Sequence, residues 1–337
     1  MGSTLIEKII EKNTGLSKVT PGQIVTVNVD RVMIHDIFIP FVADKFEEMG
    51  FTKLWDPDKV VLIYDHLVPT SAVEDVRHFK IGDAFADKYG LTHVHSSDGI
   101  CHQLMTECGY AKPGNIVFGT DSHTTTYGCV GCFSSGIGYT EMAAILGTGE
   151  MWIRVPETIK VVINGTLPSN VTAKDVILRL IGDLRADGAT YKALEITGSA
   201  VDAMSVASRM TISNMAIEAG AKNGIFEVDE VTLAYEKGRV DRPFEICAPD
   251  PDAVYDAVYD IDLSAIRPTV SFPHLPENTR TIDEVGEVRI DQVVIGSCTN
   301  GRMSDLAAAA EILRGRRVAD GVRCIVIPAT QQITLDA

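Results

Sequence analysis

Short apolar runs alternate with amphipathic stretches along the 337-residue chain, the pattern of layered α/β structure. The opening segment from Thr4 to Lys12 reads as an amphipathic helix, with Thr4 as N-cap, Glu7 as its capping-box partner and Gly15 as stop signal. Val60-Val61-Leu62-Ile63-Tyr64 reads as a buried strand ending at Asp65-His66. Asn115-Ile116-Val117-Phe118-Gly119 reads as a second, ending at Thr120-Asp121-Ser122-His123. Val293-Val294-Ile295-Gly296 reads as a third, ending at Ser297-Cys298-Thr299-Asn300. In all three, polar reactive residues follow the carboxyl end of an apolar strand, where open α/β sheets place their ligands.

The same reading divides the chain. A boundary falls near Pro156, followed by a strand over Ile159 to Ile163 and a tight turn at Asn164-Gly165. Thr172 and Asp175 form a capping box before a helix that sets Val176, Ile177, Leu180 and Leu184 on one face. A second boundary lies between Pro268 and Val288. The expected units are an α/β domain over 1–156, a second over 157–285 and the start of a third over 286–337. Gly136-Ile137-Gly138 lacks the third glycine of a dinucleotide fingerprint and reads as loop and close packing.

Charge narrows the function. A net charge of −16 opposes binding to nucleic acid or to anionic membranes. No apolar run approaches membrane-spanning length. Seven unevenly spaced cysteines without a secretory segment point to a reducing, cytoplasmic setting, where the Asn164-Gly165-Thr166 sequon has no role.

Seven of the eight histidines lie in the first 123 residues. Three of them sit beside a carboxylate, as His35-Asp36, Asp65-His66 and Asp121-Ser122-His123. A carboxylate next to an imidazole raises its pKa and fixes its tautomer, which suits proton transfer near neutral pH. Cys129-Val130-Gly131-Cys132 offers half a zinc site, but no second such pair exists in the chain, and a structural role is expected. Cys101, Cys108, Cys247 and Cys324 read as small buried hydrophobes. Cys298 differs, because it lies at a strand end before a helix, where backbone amides stabilise a thiolate; core and reactive roles are equally open on this ground. Asn214 and Glu218, four apart in an apolar stretch, would share one helix face, with a histidine as the natural partner of the carboxylate.

Six segments, in order, resemble the aconitase superfamily, and within it the large subunits of the 3-isopropylmalate dehydratase and homoaconitase type. They are Asp30-Arg31-Val32-Met33-Ile34-His35-Asp36; Asp65-His66; Gly99-Ile100-Cys101-His102-Gln103; Gly119-Thr120-Asp121-Ser122-His123-Thr124; Asn214 to Ala221; and Gly296-Ser297-Cys298-Thr299-Asn300. The resemblance implies aconitase-like three-layer α/β/α domains, the last one incomplete, and an iron–sulfur hydro-lyase acting on a small anionic 2- or 3-hydroxy dicarboxylate. 3-Isopropylmalate comes first, in leucine biosynthesis, with homoaconitate or 2,3-dimethylmalate chemistry as alternatives. It implies a [4Fe–4S] cluster held by three cysteines, with Cys298 as the first ligand and the open iron as Lewis acid. His66, paired with Asp65, would donate a proton to the departing hydroxyl. His102 would pair with Asp121 and His123 with Glu218. His35 and Ser122 would contact substrate, and Asn214 and Asn300 would support the cluster.

Two departures shape the expectation. The family's other cluster ligands form a Cys-x-x-Cys downstream of the first, and no such pair follows Cys298 before Ala337. The family's base is a serine on a swivelling domain that split enzymes carry on a separate small subunit. This polypeptide is therefore expected to be inactive alone and to lack an intact cluster. A zinc hydrolase or a non-catalytic, RNA-binding relative are the competing readings, the first short of metal-ligand spacing and the second opposed by the charge.

Overall fold

A computed structural model describes residues 2–240 and 243–337. Its main sheet has five parallel strands, in the spatial order His93–Ser96, Val60–Tyr64, Arg31–His35, Ile116–Gly119, Phe133–Gly136. The chain starts at the centre, winds outward through the second and third strands, then returns to the other side of Arg31–His35. The order therefore reverses between Arg31–His35 and Ile116–Gly119, and the crevice beyond the carboxyl ends at such a reversal is the natural ligand position.

Period-two alternation decides which layer each strand residue joins. Val32, Ile34, Val60 and Leu62 pack against the helices Ile39–Glu48, Val76–Tyr89 and Tyr139–Thr148 through Val42, Phe46, Phe85 and Met142. Met33, Val61, Ile63 and Val117 face the other way, toward Cys101, Leu104, Tyr127 and Met210. The result is the expected α/β/α layering. Each fully buried aliphatic side chain contributes about 1.5–3 kcal/mol, so the two faces together hold the strand ends rigidly.

A second parallel sheet has the order Asn223–Phe226, Ala193–Thr197, Thr158–Asn164, Ala257–Asp262. Helix Ala173–Leu184 covers it with the apolar face read from the sequence, and its capping box of Thr172 and Asp175 is formed. Gly165 turns at φ +86°, into a crossover to a parallel strand rather than a hairpin. A third pair, Gln292–Ile295 and Arg323–Val326, is also parallel. The opening helix Leu5–Thr14 has the Thr4–Glu7 capping box and ends at Gly15.

Several local expectations change. Asn214 and Glu218 do not share one α-helix: Val206–Met215 is α-helical, and Ala216–Ala219 tightens into a 3-10 turn. The backbone of Gly224 passes so close to Ala216 that a side chain there would collide with it, and the tighter turn delivers the chain to that strand. Gly136 ends a strand rather than lying in a loop, though the close packing is real: a Cβ on it would lie 2.5 Å from the Asp121 carbonyl oxygen. Cys101, Cys129 and Cys132 are buried, but Cys108 is exposed beyond the end of helix Cys101–Glu107, and Cys247 and Cys324 are only half-buried. No described helix is long and apolar enough to cross a membrane.

Candidate active site

Three adjacent strands deliver the polar residues. Arg31–His35 ends in His35, Val60–Tyr64 runs into Asp65 and His66, and Ile116–Gly119 runs into Thr120 and Asp121. Helix Cys101–Glu107 adds His102 from the second layer, and the 3-10 segment Ser122–Val130 adds His123. Asp65, His66, His102, Asp121, His123 and Cys298 together line one pocket of about 220 Å³.

His66 lies between two carboxylates. Its Nδ1 is 2.7 Å from Asp65 Oδ1 and its Nε2 is 3.2 Å from Asp121 Oδ2. Burial alone would lower its pKa, but the hydrogen bonds to Asp121 and Asp65 outweigh burial and push it up to about 10. Both ring nitrogens then carry hydrogens, and His66 is an imidazolium at neutral pH. Asp121 gathers three imidazoles. Its Oδ1 accepts from His102 Nε2 at 2.7 Å and from the His123 backbone N–H at 2.7 Å, while Oδ2 faces His66. Burial would raise the Asp121 pKa, but these partners hold it far below the usual carboxylate range. Asp65 is likewise lowered, mainly by His66 against the cost of its burial.

His123 reaches the opposite side. Its Nε2 donates to Glu218 Oε1 at 3.1 Å, and Ser122 Oγ lies 3.3 Å from its Nδ1. Burial works against its charge, but Asp121 and Glu218 prevail and raise its pKa to about 10. The same bond to His123 holds Glu218 low. His35 stands behind His66, 2 % exposed, with Nε2 3.3 Å from the Thr120 carbonyl oxygen and Nδ1 without a hydrogen-bond partner. His78, His93 and His95 fall outside this group; His95 binds Asp98 and Tyr110 instead.

Cys298 closes the pocket from the third strand pair. Ser297, at φ +79°, and the short helix Ser297–Asn300 turn the thiol inward, 3.8 Å from the Asn214 side-chain oxygen. Asn214, fully buried, is fixed by its own bond to Thr126 Oγ1 at 2.9 Å. Asn300 is not brought to the thiol in this way; its amide donates to Asp305 at 2.9 Å.

Four supports were not apparent from the sequence. Asp36, fully buried, accepts the backbone N–H groups of Ile37, His66 and Leu67 and so fixes the turn that carries His66. Tyr127 donates to His102 Nδ1 at 3.3 Å. Arg302, 5 % exposed, holds the Cys298 carbonyl at 2.9 Å and also bonds Gln103, Thr211 and the Thr299 carbonyl. Lys174 reaches Thr299 Oγ1 at 3.4 Å, and burial lowers its pKa. The His35-Asp36 neighbour pair was the one local clue; the other three act across more than twenty residues of sequence or from an unremarkable helix face.

Two groups of side chains come close enough to share a metal ion, His35 with His66 and Asp121, and Asp36 with Asp65 and His66. Hydrogen bonds already occupy them: both His66 nitrogens face carboxylates, and Asp36 is saturated by backbone N–H groups.

The model of the aconitase family (aconitate hydratase) matches residues 7–337. The chain belongs to the aconitase family. It is 49 % identical to a protein named 3-isopropylmalate dehydratase large subunit from Thermoanaerobacter pseudethanolicus, covering 100 % of this chain and 81 % of that protein. Proteins of the same name from Acetivibrio thermocellus and Syntrophus aciditrophicus are 48 % and 49 % identical, each covering 99 % of this chain and 80 % of the relative. The aconitase X of Thermococcus kodakaraensis superposes with a TM-score of 0.52 at 12 % identity, covering 99 % of this chain and 79 % of that one, a likeness of fold.

Full-length aconitase-family enzymes carry a [4Fe–4S] cluster. The residues here suit one corner of such a group. Cys298 is half-buried and presents sulfur to a pocket ringed by imidazole and carboxylate. The neighbouring thiol of Cys101 is fully buried, and burial drives its pKa well up.

Proposed function

We propose that this chain is the large-subunit part of an aconitase-family hydro-lyase that removes and returns a hydroxyl on a 2- or 3-hydroxy dicarboxylate, with 3-isopropylmalate as the leading substrate, in leucine biosynthesis. The observation that carries the reading is the charged His66 held between Asp65 and Asp121 at one end of a pocket whose other side holds the Cys298 thiol. A [4Fe–4S] cluster ligated through Cys298 supplies Lewis acidity toward the substrate's hydroxyl and carboxylate when bound.

The chain's own residues do the rest. His66 keeps its Nδ1 hydrogen on Asp65 through the shorter bond, so the Nε2 hydrogen, on the longer bond to Asp121, is the one passed to a departing hydroxyl. Asp121 holds His102 and His123 around the same oxygen position, and Glu218 fixes the His123 ring. Asn214 orients the thiol at Cys298. His35 backs the ring of His66, and Ser122 offers its hydroxyl beside His123. Lys174 reaches Thr299 beside Cys298, and with His66 and His123 adds positive charge that an anionic substrate requires in a chain of net charge −16.

The large-subunit name of the relatives supports a small-subunit partner, which would bring the swivelling domain and the proton-abstracting serine. Seven free cysteines, none paired in a disulfide, suit a reducing cytoplasm. The test is to extend the chain with the relatives' downstream segment that carries the Cys-x-x-Cys, reconstitute that full-length large subunit with iron and sulfide, add the small subunit, and follow alkene formation from 3-isopropylmalate by ultraviolet absorbance. Turnover only with the partner present supports the reading. Turnover without it refutes the divided site, and reaction confined to another hydroxy acid refutes the leading substrate.

A further inference from the structure

Across His66 and Asp121 from the thiol lies a second, larger cavity of about 650 Å³. Its middle is apolar, lined by Phe38, Phe133, Ile137, Met151, Ile153 and Ile217. Its polar lining includes His66 with the carboxylates of Asp121 and Glu141, and Tyr191 with Arg154 and Lys222.

Tyr191 is a built platform. Its backbone sits at φ +60°, a conformation that a bulky non-glycine residue rarely adopts. Its own N–H donates to the Gly220 carbonyl at 3.1 Å, and its hydroxyl accepts the Arg154 backbone N–H at 3.3 Å. Two cations rest on the ring: the Arg154 guanidinium carbon lies 4.3 Å and the Lys222 ammonium 5.0 Å from its centroid. Among the described residues neither cation forms a salt bridge, whereas the neighbouring Lys192 is paired with Asp256 and Glu157. Burial pulls the Lys222 pKa down, with no carboxylate offsetting it. Two like charges held near one ring repel each other, and in a chain of net charge −16 leaving them uncompensated is conspicuous.

We propose that Arg154 and Lys222, gathered on Tyr191, form a carboxylate-binding subsite for a small organic anion whose apolar body lies along the middle of the cavity. The anion's charge goes to Arg154 and Lys222 because among the described residues they have no carboxylate partner, whereas His66, the other cation lining the cavity, is already held between Asp65 and Asp121. Arg154 supplies a planar fork of donors and Lys222 a point charge, the combination that captures a carboxylate. The inference rests on the hydro-lyase reading only for the choice of probe.

The probe is 2-isopropylsuccinate, a branched dicarboxylate without a hydroxyl to react, and its diamide is the neutral control. Binding to the unaltered chain is measured by calorimetry. It is measured again through Trp152, which lines the cavity, in a Trp55→Phe background that leaves it the sole tryptophan. The diacid is expected to bind and the diamide not. The double variant Arg154→Leu with Lys222→Met should weaken binding about tenfold or more, while Arg154→Lys with Lys222→Arg retains it. Far-UV circular dichroism and thermal melting of each variant separate lost binding from lost folding. No binding by the unaltered chain, equal binding of the diamide, or full affinity in a folded double variant would each overturn the proposal. Because turnover is not read, none of these outcomes bears on the hydro-lyase reading.

Discussion

The rings of His35 and His66 lie face to face, centroids 4.2 Å apart with their planes 24° from parallel. His66 is the charged member, since both of its nitrogens face carboxylates, and His35 is the buried one with a ring nitrogen left without a partner. An aromatic ring stacked behind a cation steadies it through its π-face. His35→Phe is therefore expected to fold and to keep the His66 ring in place. His35→Ala opens a cavity costing about 3 kcal/mol and frees the His66 ring. Urea denaturation gives the stability, and proton NMR of the histidine ring protons gives the His66 titration. An unchanged His66 titration in His35→Ala would show the stacking to be idle.

Removal of the proton donor tests the chemistry directly. In the reconstituted enzyme with its small subunit, His66→Asn should lower kcat by about 10²–10⁴ while leaving KM within a few fold. Asp121→Asn should do as much and also bring the pKa of His66 and His123 down from about 10, because both lose a shared carboxylate. A His66→Asn variant with near-normal kcat would remove His66 from the proton-transfer role.

Stability should follow pH in two limbs. His66 and His123 have folded pKa values of about 10 against an ordinary 6.5, so their stabilisation is complete below pH 6.5 and is lost as pH climbs through about 10. Asp65, Asp121 and Glu218 are held below their ordinary values of 3.8 to 4.5, so theirs is present above that range and is lost as pH falls through it and below. The melting temperature should thus be highest between these two ranges. Replacing both His66 and His123 by Gln should flatten the alkaline limb, and an alkaline limb as steep as the original would contradict the assignment.

Arg302 is the support whose removal should be felt at the thiol. Arg302→Met removes the guanidinium donor from the Cys298 carbonyl and leaves the Thr299 carbonyl with the Thr211 hydroxyl alone, at a cost of about 1–3 kcal/mol. The loosened turn should also alkylate faster at Cys298 with iodoacetamide, read by peptide mass mapping to keep it apart from the exposed Cys108. An unaltered rate at Cys298 would mean that the turn is held by other contacts.

The strand ends were legible because apolar runs of five residues followed by Asp-His or Thr-Asp-Ser-His carry their meaning locally, as do Thr4 with Glu7 and Thr172 with Asp175. The pairing of imidazoles with carboxylates was suggested by neighbours in sequence, yet its most connected member joins residues far apart: Asp121 meets His66 across 55 positions. Arg302 and Lys174 were silent because nothing in their own segments marks them; Arg302 acts on Thr211 and Gln103, 91 and 199 positions away. The change from α-helix to 3-10 turn after Met215 was equally hidden, since the segment packs against Gly224, a residue whose closeness to Ala216 its own sequence does not mark.

The reversal of strand order has a consequence for how competence arises. Because winding starts in the middle of the sheet and proceeds outward on both sides, the four imidazoles of the site, His35, His66, His102 and His123, arrive from separate segments of the chain. The cation and its counter-charges meet only because Val60–Tyr64 and Ile116–Gly119 both pair with Arg31–His35. The proton donor is thus a property of the central strand and its two neighbours, and the outermost strands contribute none of its charged partners.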